Sequence, residues 1–107
     1  MGKDLYESSN AAAAIYNEAD SVLGWSISDI CFNGPAEKLT ESRYCQPAIY
    51  TTSMACLAAY REKYEGDPDE VVGCAGLSLG EYAALACAGF FSFANGLKLV
   101  ARRAELM

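Results

Sequence analysis

The sequence predicts an α/β fold, mostly helical with a single strand, and two observations lead there. The first is the run Val71-Val72-Gly73-Cys74-Ala75, short, apolar and small, which reads as a buried strand. It leads into Gly76-Leu77-Ser78-Leu79-Gly80 and then the alanine-rich Glu81 to Ala88, a helix ended by Gly89. Strand, G-x-S-x-G turn and helix in that order make a nucleophile elbow, whose sharp turn lifts the serine clear of its surroundings. Gly76 and Gly80 are expected to be small because bulkier side chains would collide where strand and helix pass. The Leu79 N–H falls at the helix N-terminus, where it can stabilise a developing oxyanion. The second observation is a series of amphipathic segments at helical spacing on both sides of this turn.

The N-terminal residues 1–7 show no obvious start of a fold. From about Ser9 to Leu23, the apolar positions Ile15, Ala19, Val22 and Leu23 recur at helical intervals, and Gly24 ends the helix. Trp25 to Phe32 contains a second short helix, with Ser26 or Ser28 as its cap. Asn33-Gly34-Pro35 is a turn, and residues 36–44 form a short helical turn and loop. Gln46-Pro47-Ala48 opens the next helix, with proline tolerated in the first turn. It runs to about Tyr64, with Ile49, Ser53, Cys56 and Tyr60 on one face. Glu65 to Glu70 is an acidic turn, a solvated loop before the strand. After the elbow, Ser92 caps a last helix whose apolar face is Phe93, Leu97, Val100, Ala101 and Ala104.

Composition narrows the function classes. Hydrophobic residues make up 52% and charged residues 21%, a globular balance within one small domain or part of a larger one. The formal net charge of −6 argues against nucleic acid or an anionic membrane as partner. No apolar run approaches a membrane span, and no signal-peptide pattern opens the sequence. The five cysteines (Cys31, Cys45, Cys56, Cys74, Cys87) are scattered without a C-x-x-C pair, which predicts reduced core thiols in an intracellular compartment rather than disulfides or a metal site. There is no histidine. A serine hydroxyl is a poor nucleophile until a base takes its proton, and histidine is the usual base. Two further features point the same way: the lone strand needs hydrogen-bonding neighbours from outside these residues, and the last helix stops at Leu106-Met107 without a C-cap.

Gly76-Leu77-Ser78-Leu79-Gly80-Glu81-Tyr82-Ala83-Ala84-Leu85, with Ala88-Gly89 and Ser92-Phe93 after it, resembles the malonyl-CoA:acyl-carrier-protein transacylases of fatty-acid synthesis. Gly2-Lys3-Asp4-Leu5-Tyr6 looks like the start of that family's first helix. Asn33-Gly34-Pro35, Leu39-Thr40-Glu41 and Gln46-Pro47-Ala48-Ile49 match its next phrases, and Leu97 to Met107 matches the helix carrying its carboxylate-binding arginine. The resemblance covers essentially all of these residues but only the N-terminal third of a family member, with Met1 aligned to an internal methionine. It implies the first part of a hydrolase-like core: an incomplete large acyltransferase subdomain, without the small ferredoxin-like subdomain, the Gly/Gln-rich first loop or the catalytic histidine. Leu77 stands where many bacterial relatives have a histidine flanking the serine, and leucine there resembles the plant and algal plastid members. That implies a plastid stroma, with bacterial cytoplasm or mitochondrion as the alternatives.

By resemblance, Ser78 attacks the thioester of malonyl-CoA, and the malonyl-serine ester passes to the phosphopantetheine thiol of acyl carrier protein in a ping-pong transfer. Leu79 would give one oxyanion donor. Arg103 falls at the position that pairs with the malonyl carboxylate, while Arg102 reads as a surface residue. Gln46 matches a pocket-lining glutamine, although a polar helix-start residue explains it equally well. Glu81 is expected to face the positive helix end and Tyr82 to pack. The resemblance implies no bound cofactor and no metal, and a monomer at full length. Two other readings compete: a serine hydrolase of patatin or α/β-hydrolase type, and a non-catalytic truncated chain acting as an interaction module.

Overall fold

In a computed structural model, residues 1–64 and 71–107 are described. Among the described residues, six α-helices and one 3-10 turn make up the regular structure: α1 (Lys3–Ser8), α2 (Asn10–Leu23), α3 (Ile27–Asn33), the turn at Lys38–Thr40, α4 (Ser42–Lys63), α5 (Gly80–Cys87) and α6 (Phe93–Leu106). The capping residues mark their boundaries. Ser9 accepts from the Ala12 N–H to start α2, Ser26 from Asp29 to start α3, and Ser92 from Asn95 to start α6. Gly24 ends α2 in the left-handed conformation that glycine adopts without steric cost.

The long helix α4 is central. It packs against α2 on one side and α6 on the other, and α5 lies across its C-terminal half and α6. The buried core joins Ala12, Tyr16 and Ala19 of α2 to Ala48, Tyr50, Met54, Ala55 and Ala59 of α4 and to Leu97 and Val100 of α6. Small residues dominate the α2–α4 contact, so the two backbones approach closely around the fully buried Tyr16. That ring meets Phe32 edge-on at 4.9 Å and donates its hydroxyl to Thr52. Tyr50 stacks on Phe93 with centroids 5.4 Å apart and donates to the Phe93 carbonyl, locking α4 to the start of α6.

Several expectations are corrected here. The strand over Val71–Ala75 is not formed: these residues are irregular and exposed, Val72 at 98%. A strand needs neighbours to receive its backbone hydrogen bonds, and none exists among the described residues. Helix α4 begins at Ser42 rather than Gln46, so Pro47 sits buried inside it, where it cannot donate to the Arg43 carbonyl. The face of Ile49, Ser53, Cys56 and Tyr60 points outward, with Tyr60 54% exposed, while Ala48, Thr51, Ala55 and Ala59 turn inward. The α2 face is likewise centred on Ala12, Tyr16 and Ala19, with Ile15, Val22 and Leu23 at its margin. Helix α1 forms where the resemblance places the family's first helix, although residues 1–7 by themselves show no start of a fold. The acidic turn at 65–70 lies outside the described residues. No helix among them is long and apolar enough to cross a membrane.

Candidate active site

Ser78 occupies a backbone conformation that its side chain opposes. Its φ is 54°, the one positive value at a non-glycine position among the described residues. Holding a residue there costs about 1–3 kcal/mol and persists only where surrounding structure enforces it. Gly76 is part of that enforcement: a Cβ at this position would collide with the Gly80 carbonyl and come within 2.7 Å of the Glu81 nitrogen. The chain therefore folds back on itself over five residues, and the first turn of α5 closes it. The N–H groups of Gly80, Glu81 and Tyr82 donate to the carbonyls of Leu77, Ser78 and Leu79. Gly80 departs from expectation, since a Cβ there would meet nothing within 4 Å. The close approach is made by Gly76 alone.

Helix α6 brings Arg103 to this turn. Its Nη2 donates to Ser78 Oγ at 2.9 Å, and its Nη1 donates to Gln46 Oε1 at 2.5 Å. Gln46 is 8% exposed, and its amide nitrogen contacts Met107 Sδ at 3.4 Å. Residues from α4 and the elbow, separated by 57 and 25 positions from Arg103, thus converge on its guanidinium. The arginine is half-buried and lies over the Tyr82 ring, 5.7 Å from its centroid. Arg102, its neighbour, is exposed and pairs with Glu105 at 3.2 Å across one helical turn. Position on α6 decides this difference: Arg103 shares its side with buried Gly96 and Val100, whereas Arg102 faces water.

Leu79 is the N-cap of α5, and among the described residues nothing accepts from its N–H. That donor lies next to Ser78 at the positive end of the helix. Glu81 is exposed in the first turn, and Tyr82 packs against the core, as read from sequence. Sequence reasoning missed the stacking of Arg103 on Tyr82 and the contact of Met107 with Gln46. Helical spacing within α5 or α6 carries no information about which residues of two separate helices meet.

The cysteines divide. Cys31 is buried, and burial pushes its thiol pKa up; Cys45 and Cys87 are half-buried, and Cys56 and Cys74 are exposed. The expected core placement thus holds for Cys31 and not for the exposed pair. All five are free thiols, and among the described residues no cluster could hold a metal ion.

The arrangement is a strained serine with a guanidinium on one side and a helix N-terminus on the other. It suits an acyl group that carries a carboxylate. Residues 1–107 match the acyl transferase domain family. The chain is 44% identical to the malonyl CoA-acyl carrier protein transacylase of Bacillus subtilis strain 168, over all of this chain and 32% of that protein. It is 39% identical to the mitochondrial malonyl-CoA-acyl carrier protein transacylase of Mus musculus, over 87% of this chain and 24% of that protein. A crystal structure of acyl-carrier-protein-S-malonyltransferase from Bartonella henselae superposes with a TM-score of 0.91 at 39% identity, covering 98% of this chain and 33% of that one. The chain spans about a third or less of the length of these relatives. On the full-length match and the geometry around Ser78, the chain belongs to the acyl transferase domain family.

Proposed function

We propose that this chain carries the nucleophile and acyl-recognition part of a malonyl-CoA:acyl-carrier-protein transacylase. The observation that carries the reading is the arginine between Ser78 Oγ and Gln46. Ser78 Oγ attacks the thioester carbonyl of malonyl-CoA, the C–S bond breaks, and coenzyme A leaves as its thiol with the serine proton. The phosphopantetheine thiol of acyl carrier protein then attacks the malonyl-serine ester, and Ser78 recovers its proton. The Leu79 N–H donates to the tetrahedral oxyanion in both halves.

A malonyl ester on Ser78 ends in a carboxylate, two carbons beyond the ester carbonyl and within reach of Arg103. The guanidinium fork can exchange its two neutral acceptors, Ser78 Oγ and Gln46 Oε1, for two carboxylate oxygens, while the Tyr82 ring holds its position. An acetyl group offers no such charge. Charge-assisted hydrogen bonds of about 1.5–3 kcal/mol give a preference of roughly ten- to a hundredfold for malonyl. No histidine occurs in the 107 residues. The base that activates Ser78 is therefore proposed to come from another part of the whole enzyme, as are the second oxyanion donor and the small ferredoxin-like subdomain.

Within that enzyme, residues 71–75 complete an α/β architecture by pairing with further strands. The names of the relatives support acyl carrier protein and a coenzyme A thioester as partners, and the proposed enzyme works as a monomer without a bound cofactor. Relatives come from a bacterium and a mitochondrion. The plastid stroma rests on Leu77 and the general similarity to plant and algal plastid members.

The test uses the full-length enzyme containing this segment, incubated with radiolabelled malonyl-CoA or acetyl-CoA and trapped as acyl-protein. Label from malonyl should appear on the parent and vanish in Ser78→Ala. Arg103→Ala should lower malonyl labelling to the acetyl level. Equal labelling of the parent by both donors would sink the role given to Arg103, and label surviving Ser78→Ala would sink the nucleophile. Release of the acyl group to water rather than to the carrier thiol would favour a serine hydrolase.

A further inference from the structure

The contacts that hold Arg103 differ in kind. Nη2 and Nη1 lie on the donor edge of the guanidinium and reach Ser78 Oγ and Gln46 Oε1 respectively. The Tyr82 ring lies against its flat face, with Cζ 5.7 Å from the ring centroid. An edge contact occupies an N–H that a carboxylate would need, whereas a face contact occupies none. When carboxylate oxygens take the edge, Ser78 and Gln46 are released, and of these partners the ring alone stays in place. Its attraction is that of a cation for the negative face of an aromatic ring, which acts within about 6 Å. The chain fixes the ring. Tyr82 lies one helical turn after Ser78, and its N–H donates to the Leu79 carbonyl at 3.1 Å. Its side chain is half-buried and packs against the buried core. Arg103 is half-buried as well, and a cation partly withdrawn from water gains more from an aromatic face than an exposed one does. Both partners sit on helices that pack against α4, so the contact does not depend on the irregular residues before Ser78.

We propose that Tyr82 is a positioning residue for acyl selection: its ring face holds the Arg103 guanidinium in register with the carboxylate of an acyl group on Ser78, and so sets part of the malonyl preference. The assignment rests on the function proposed above for Arg103. It places the effect in the aromatic face, not in the phenol hydroxyl and not in side-chain volume. Tyr82→Phe therefore keeps the effect, and Tyr82→Leu, which stays apolar but has no ring, loses it.

The experiment measures, in the full-length enzyme containing this segment, the rates at which radiolabelled malonyl-CoA and acetyl-CoA label Ser78. The malonyl-to-acetyl ratio should stay within about twofold of the parent in Tyr82→Phe and fall roughly three- to thirtyfold in Tyr82→Leu, the range for a lost cation–π contact. In an Arg103→Ala background, Tyr82→Leu should leave the ratio where it is. Ring electronics are read separately by placing phenylalanines of increasing ring fluorination at position 82, which keep the ring's shape and drain its negative face. The ratio should fall stepwise along that series, and the series decides the matter where leucine unfolds the site. Loss of both donors in step, a fall that persists in the Arg103→Ala background, or a ratio indifferent to fluorination would make Tyr82 a packing residue and overturn the proposal. A parent without a malonyl preference would overturn the role of Arg103 and this assignment together. A parent with the preference, kept in Tyr82→Leu, would overturn this assignment alone.

Discussion

Replacing each elbow glycine by alanine separates steric need from helix propensity at the site that matters most. At Gly76 the added Cβ meets backbone, the Gly80 carbonyl and the Glu81 nitrogen, and neither can swing away as a side chain end would. Overpacking of this kind costs about 1–3 kcal/mol. At Gly80 the added Cβ meets nothing, and the residue is the first of α5. Alanine there restricts the unfolded chain and favours the helix, a gain of about 0.4–1 kcal/mol. The two variants should differ by roughly 1.5–4 kcal/mol in opposite directions. Urea unfolding followed by circular dichroism reads this as midpoints about 1–2 M apart, at an m-value near 2 kcal/mol/M. Because the elbow is exposed, strain could also be released by opening α5 alone. Hydrogen exchange at the amides of Ala84 to Cys87 captures that route, faster in Gly76→Ala and slower in Gly80→Ala. Equal midpoints and equal exchange in the two variants would refute the steric account of the turn.

Three other outcomes are expected. Tyr50 is 1% exposed, and burial, with a smaller contribution from the charge of Glu18, raises its hydroxyl pKa from the usual 10.0 to about 12. The unfolded state therefore releases this proton first, so the stability it contributes is intact below pH 10 and is lost as pH rises towards 12. The parent should lose on the order of 2 kcal/mol more than Tyr50→Phe across that window in pH-dependent urea melts. Thr51 is buried with a hydroxyl that has no hydrogen-bond partner among the described residues. Thr51→Val keeps the shape and removes the orphaned group, which should raise stability by about 1 kcal/mol; a loss of that size would mean the hydroxyl is satisfied. Ser9→Ala removes the cap of α2 and the hydroxyl that donates to Glu62 at 3.4 Å. It should lower the thermal midpoint, corresponding to about 1 kcal/mol in calorimetry.

Local chemistry was legible in the sequence because its causes are local. Ser9, Ser26 and Ser92 each cap the helix that follows, Gly24 ends α2, and the G-x-S-x-G turn places Ser78 at a helix start. Every one of these depends on hydrogen bonds or dihedral limits within a few residues. The apolar face of α6 was also readable, since Leu97, Val100 and Ala104 recur at helical spacing. Helix α4 was not, because alanine, threonine and cysteine occur on several of its sides and give periodicity little contrast. Only the packing of α2 and α6 decided that Ala48, Thr51, Ala55 and Ala59 turn inward. The strand failed for the complementary reason. Apolar character at Val71 and Val72 shows what a segment can become, but a strand exists only when another backbone accepts its hydrogen bonds. Gln46 and Arg103 were picked out by resemblance to a family and not by any pattern of their own. That Arg103 meets both Gln46 and Ser78, across separations of 57 and 25 residues, follows from how three elements cross, and no periodicity in a single chain encodes a crossing.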